Sequence, residues 1–240
     1  MGLTISYSLA LADATADQAR ERISQLHRLA ADLPLVELGP LTELRGSDCH
    51  TVKDDPLLTL KYGAMTMEDF AAFFADRNAT PSCRHLIGFT VFPAEGSHRC
   101  SFGLAIHAEG ATSWQWEDYC KTQYASLPEC GGLQNFLRCH QTVLQLVNHC
   151  QELGILDHAC DPSGYWEHHD LEELVKCVNM SNIFTAAAVG IMKDALTPMG
   201  YTAEAPILER AGFEHLEAQG RNPSGNPSDN PSEGVTPDVD

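Results

Sequence analysis

Basic residues are scarce in this chain. Lys and Arg total 15 of 240 residues against 33 Asp and Glu, for a formal net charge of −18. Nucleic-acid binding needs a cationic surface that releases counterions, so nucleic acid is not expected as a partner. The same sign of charge argues against anionic membrane surfaces. No apolar run approaches the roughly 20 residues that span a bilayer, so neither a membrane-spanning helix nor a membrane partner is expected. The opening Met1-Gly2-Leu3-Thr4-Ile5-Ser6-Tyr7-Ser8-Leu9 has no Lys or Arg, so the charged segment of a secretion signal is missing. The chain also has no C-x2-C, no HExxH, no glycine-rich dinucleotide fingerprint and no G-x-S-x-G elbow. These patterns leave the cofactor unknown.

Nine Cys and eleven His are present, and they invite a metal reading. The spacings do not support one. The clearest β signal is a pair of apolar runs, His85 to Phe92 and Cys100 to His107, flanking Pro93-Ala94-Glu95-Gly96-Ser97. In such a hairpin Cys83 and His85 lie at the open end, while His98 and Cys100 lie by the turn. About seven residues at roughly 3.3 Å each separate the two pairs, too far to share an ion. Matching Ile87 with Leu104 and Phe89 with Phe102 sets the register and puts His85 and His107 on opposite faces. No metal ligand is assigned. An odd number of cysteines in a chain of this size reads as reduced thiols in a cytoplasmic setting.

Apolar residues are 43% of the chain, enough to build a core. Leu3, Ile5, Tyr7 and Leu9 alternate with Thr4, Ser6 and Ser8, which is the pattern of a half-buried strand. Thr15 and Gln18 form a capping box ahead of a helix over about 16–32. Leu35 to Leu44 reads as a second strand, and Gly46 to Lys61 as polar and broken. Thr66 caps a short helix carrying Met67, Phe70, Phe73 and Phe74, followed by a loop over Arg77 to Ser82. After the hairpin, Trp114 and Trp116 mark a further strand and Gly131-Gly132 a turn. Leu133 to Leu153 is a strong helix with His140 in its apolar stripe, and Gly154 caps its end. Ile155 to Cys160 is a short strand. Asp170 and Glu173 open a long helix over Leu171 to Leu196, and 201–219 closes the body irregularly.

Strands and helices do not alternate strictly. The expected class is therefore α+β: an antiparallel sheet, with a mixed or elaborated ferredoxin-like arrangement as one topology, packed against two long helices. Residues 1–219 form a single domain on this reading. From Gly220 the four-residue repeat Asn222-Pro223-Ser224-Gly225, Asn226-Pro227-Ser228-Asp229 and Asn230-Pro231-Ser232-Glu233 cannot bury apolar area, so 220–240 reads as a disordered tail. The tail carries one arginine and four carboxylates, a net −3, which leaves −15 on the body.

The densest polar stretch runs from Trp114 to His140. In so acidic a chain Lys121 and Arg138 stand out, and Gly131-Gly132 leads into a helix whose free N–H groups attract an anion. Lys121, Tyr124 and Arg138 are candidate ligand-binding residues, with Tyr165 added from the aromatic loop Gly164-Tyr165-Trp166-Glu167. His140 and Glu167 are the candidate proton-transfer groups. Beside the functional reading of His140 stands the plainer one, a core imidazole held by hydrogen bonds. Cys139 and His140 diverge by about 100° around the helix and are not a ready nucleophile–base pair. Trp166 reads as packing.

The segments Gly2-Leu3-Thr4-Ile5, Tyr119-Cys120-Lys121-Thr122-Gln123-Tyr124-Ala125-Ser126, Asn135-Phe136-Leu137-Arg138-Cys139-His140 and Gly164-Tyr165-Trp166-Glu167 resemble a set of bacterial proteins of unknown function. The resemblance covers most of the body. It implies a bacterial cytosolic setting and transfers no activity. The expected function is binding or turnover of a small anionic metabolite in a pocket beside helix 133–153. The alternatives are a non-catalytic acidic module that docks a basic protein partner, and a metal-dependent enzyme using His and Cys.

Overall fold

The computed structural model describes residues 2–50, 55–75, 82–108, 110–210 and 212–221. Residues 222–240 of the expected tail, the side chains of Phe73 and Phe74, and residues 77–81 of the expected loop lie outside the described residues. The chain divides into two compact units, Met1–Asn179 and Met180–Asp240.

The first unit is α+β. Its strands are β1 (Thr4–Leu11), β2 (Glu37–Leu38), β3 (Thr42–Arg45), β4 (His85–Phe92), β5 (Cys100–Ile106), β6 (Trp114–Lys121) and β7 (Leu156–Cys160). They form one sheet in the order β2-β4-β5-β6-β1-β7, with β3 also on β4, and every pair is antiparallel. The sheet is neither mixed nor ferredoxin-like: β4, β5 and β6 separate β1 from β2, where a ferredoxin-like core has one strand between them. The meander β4-β5-β6 then brings β6 antiparallel to β1. The expected strand over 35–44 is two short strands because Gly39-Pro40 interrupts it, and both pieces pair with β4.

The hairpin register is the one the apolar match dictates: Ile87 opposite Leu104 and Phe89 opposite Phe102. The aromatic rings continue across strands, Phe89 on Phe102 at 6.1 Å and Phe102 stacked on Tyr7 at 4.5 Å. Each fully buried ring or branched side chain contributes about 1.5–3 kcal/mol of transfer free energy. Helices α1 (Ala16–Ala30) and α4 (Gly132–Glu152) touch each other. α1 lies on β4 and β5, and α4 on β1 and β7. The Thr15–Gln18 capping box opens α1, and Ala19, Ile23, Leu26 and Ala30 form its buried stripe. Glu43 binds Arg20, Arg45 and His85, which ties β3 to α1 and β4; Arg20 foremost holds its carboxyl well below the usual range.

Helix α2 (Leu58–Gly63) packs on β4, β5 and β6, and α3 (Met67–Ala75) follows it. Close approach needs glycine here: a Cβ on Gly88 would lie 3.0 Å from the Leu60 side chain, and one on Gly63 would lie 2.5 Å from both Ser101 Oγ and Trp116 Nε1.

A single-turn helix, α5 (Tyr165–His168), leads into α6 (Leu171–Leu196), which Asp170 caps by accepting the Glu173 N–H at 3.0 Å. The first half of α6 places Leu174 and Val178 in a small core with Leu3, Phe136 and Cys139. An 18-residue window within Leu171–Met199 has mean hydropathy 1.4 and is 39% buried, so α6 is long and apolar enough to cross a membrane by length and composition. Scattered Asn, Ser and Thr hide this in a search for continuous apolar runs: 177–192 carries no charge. In the second unit the segment expected to be irregular over 201–219 ends in a helix, α7 (Phe213–Arg221), which also takes in Gly220 and Arg221 of the expected disordered tail.

Candidate functional site

His140 is where the apolar stripe placed it, and it is sealed. Its side chain and that of Asp161 are both 0% exposed. Nε2 faces Asp161 Oδ2 at 3.3 Å and Ser163 Oγ at 3.4 Å, while Nδ1 meets Thr122 Oγ1 at 3.1 Å. Asp161 also accepts the Ser163 N–H at 3.0 Å and the Trp166 N–H at 3.1 Å. Burial pushes the Asp161 carboxyl up, but the bond and charge of His140 and the Ser163 donors outweigh it and hold it at about 2. The group is a fully satisfied polar knot tying α4 to the end of β6 and to the loop after β7.

Of the other expected site residues, Tyr165 stays with His140 and Lys121 pairs with Tyr124, while Arg138 and Glu167 stand apart from both. Tyr165 packs edge-on to His140 at 6.2 Å, and its hydroxyl accepts from Gln141 Nε2 at 2.8 Å. Lys121 Nζ lies over the Tyr124 ring at 4.4 Å. Arg138 is exposed and donates to Asn135 Oδ1 at 2.8 Å. It lines a groove of about 350 Å³ with Gln134, Gln141 and Gln145. Glu167 is exposed on α5. Trp166 packs as expected, its indole N–H donating to Asn148 Oδ1 at 2.7 Å. Among the described residues no three of His, Cys, Asp and Glu gather as a metal site.

The opposite part of the sheet carries a cleft. Strand alternation buries Ile5, Tyr7 and Leu9 of β1 and turns Thr4, Ser6 and Ser8 to the other face. The register sets Ser6 against Tyr119 and Ser8 against Glu117. β7 adds Asp157, whose Oδ2 accepts the Ser8 hydroxyl at 3.0 Å. α2 and α3 supply the facing wall. The start of α3 is fastened by Asp69, which accepts from Thr66 N at 3.0 Å and Ser82 N at 2.7 Å, while Ser82 Oγ meets His107 Nδ1 at 3.0 Å.

Two adjoining hollows share Met67 and Glu117. One, about 510 Å³, is walled by Tyr62, Phe70 and Tyr119, with His98, Arg99 and Asp118 in its lining. The other, about 450 Å³, includes His107, Gln115 and Asp157.

Asp118 is the unusual member. It follows Trp114 and Trp116 at inward positions of β6, where an apolar residue is the norm. β5 and β6 pair in register at Ala105 and Gln115. Further along, the Asp118 carboxylate takes the place of a ladder acceptor: Oδ2 accepts the Ser101 N–H at 2.7 Å and the Ser101 hydroxyl at 2.5 Å. Oδ1 accepts the Tyr119 N–H at 2.7 Å. The Ser101 carbonyl in turn accepts from Tyr7 Oη at 2.8 Å and Trp116 Nε1 at 3.1 Å.

Burial raises the Asp118 carboxyl to about 6, and the Ser101 and Tyr119 donors only partly offset this. His98, at the rim, is lowered by desolvation first and by the Lys121 charge second, so its ring is neutral at pH 7. The chemistry on offer is a carboxyl that gains and loses its proton near neutrality, beside an aromatic wall. The signal for it in the sequence was the β6 alternation carried past Trp116, which places one carboxylate between Trp116 and Cys120.

Comparison with protein-family models, with curated proteins and with solved structures finds no match, so function rests on this geometry.

Proposed function

We propose that this chain binds a small molecule in the cleft between the β1–β6 face and α2–α3, with Asp118 as the proton donor or acceptor toward it. The observation that carries the reading is an apolar-walled hollow of about 510 Å³ whose lining includes Asp118, a residue whose carboxyl burial raises to about 6. A perturbed carboxyl in a cleft is a functional-site candidate with a physical rationale. All nine cysteines are free thiols, which supports a reducing cytoplasmic setting. The test is a ¹H–¹⁵N NMR screen of a fragment library against the full chain. Binders are expected to move the amides of Tyr62, Phe70 and Glu117–Tyr119 together. A library whose hits all spare those amides overturns the reading.

A second reading keeps the anionic ligand beside α4. It is supported by Arg138, whose guanidinium meets only the neutral Asn135 side chain among the described residues while lining a groove with three glutamine amides. Titration with inorganic phosphate tests it: the amides of 134–145 move in the native chain and stay still in Arg138→Gln.

A further inference from the structure

We infer that the ligand of the β1–β6 cleft is a small organic cation, an ammonium group on an apolar body. The inference rests on the proposed binding role of that cleft and names the chemistry it selects.

The walls are aromatic. Tyr62 and Phe70 lie 6.0 Å apart at 38°, and across from them Tyr119 is 51% exposed. Ring faces carry negative electrostatic potential and attract cations within about 6 Å. Met67, 71% exposed between the two hollows, adds a soft apolar surface that adapts to the ligand body.

The charges around the walls have one net sign. Glu117 belongs to both hollows and makes no hydrogen bond or ion pair among the described residues, so its carboxylate is available. Asp118 lies beside it, and Asp157 stands at the far side of the second hollow. The one permanent cation in either lining is Arg99. It is engaged elsewhere, with Nη2 donating to Glu37 Oε2 at 2.7 Å and its guanidinium over the Phe92 ring at 4.7 Å. His98 and His107 are both pushed toward the neutral form, chiefly by desolvation. Lys121, whose charge reaches His98, lies outside both linings over the Tyr124 ring; within the linings an anion meets carboxylates with no free positive partner, whereas an ammonium meets Glu117 and ring faces at once. The net charge of −18 on the whole chain raises the local concentration of cations further.

The test uses three probes of one shape class on the full chain, followed by ¹H–¹⁵N NMR: benzyltrimethylammonium, neutral benzyl alcohol and anionic benzoate. The cation is expected to shift Tyr62, Phe70 and Glu117–Tyr119 and to saturate at about tenfold lower concentration than benzyl alcohol, while benzoate leaves those amides unmoved. Glu117→Gln, at an exposed position that the fold does not use, is expected to weaken the cation about fivefold and leave benzyl alcohol unchanged. Equal binding of cation and alcohol in the cleft, or preference for benzoate, overturns the cation while the binding cleft stands. Failure of all three probes where library fragments do bind also overturns it. Failure of every fragment and probe at these amides removes the cleft itself.

Discussion

Replacing Asp118 by asparagine removes a charge that folding has to desolvate. The native carboxyl titrates at about 6, against about 3.9 for an unperturbed aspartate. Because the folded pKa is the higher one, the folded chain holds the extra proton between about pH 4 and 6, and native stability falls as pH rises through that window. Two units correspond to about 3 kcal/mol, present in full above pH 6 and absent below pH 4. Asparagine with its amide oxygen at the Oδ2 position keeps the two Ser101 donors and loses the Tyr119 N–H, at about 1 kcal/mol. Asp118→Asn is therefore expected to be more stable than the native chain at pH 7 by about 1–2 kcal/mol and no more stable at pH 4. Urea unfolding at half-unit steps from pH 4 to 8 measures the difference directly. A gap that stays constant across the range refutes the reasoning, because Asp118 would then be a plain ladder acceptor with an ordinary carboxyl.

The buried knot behaves oppositely. Asp161 titrates at about 2, below its unfolded value, so Asp161→Asn is expected to cost about 2–3 kcal/mol at pH 7, with the cost shrinking as pH falls from about 4 toward 2; denaturation against pH reads this. Gly63→Ala forces a Cβ to within 2.5 Å of Ser101 Oγ and Trp116 Nε1, and is expected to lower stability by about 1–3 kcal/mol and to shift the cleft amides by NMR. Brief alkylation of the native chain by iodoacetamide is expected to label Cys160 first, then Cys130 and Cys177, and to spare the six buried thiols, among them Cys139, which burial pushes up to about 12; intact mass and peptide mapping count the labels.

Much of the frame was legible because its signals are local. The alternation of Leu3 to Leu9, the Thr15–Gln18 cap and the Ile87–Leu104 and Phe89–Phe102 matches each rest on neighbours in sequence or on a short hairpin. The break at Gly39-Pro40 was legible too, from two residues that end strands, yet a continuous strand was the expectation. The closing helix over 213–221 was missed although Phe213 and Leu216 stand at helical spacing, because it is short and runs into the Asn/Pro/Ser repeat. His140 could be placed in the core from its stripe, but Thr122, Asp161 and Ser163 come to it from 18 to 23 residues away, so the knot is a product of the fold.

The site was least legible for the same reason. Rarity of positive charge drew attention to Lys121 and Arg138, and the structure turns one onto Tyr124 and the other onto Asn135. The cleft depends on α2, which packs on the sheet from a polar stretch with little periodicity; α3 was legible from Thr66 and its apolar residues, but its place beside the cleft was not. Asp118 becomes conspicuous only when β6 is followed to Cys120 and a carboxylate is found at an inward position of the strand.

The most direct test of the account is the ¹³C NMR titration of the Asp118 side-chain carboxyl in the folded chain. The account predicts a midpoint near pH 6, with the amides of Tyr119 and Ser101 following the same curve, since both donate to that carboxylate. A midpoint at or below about 4, the range of an unperturbed aspartate, contradicts it and leaves the cleft without its proton-active group.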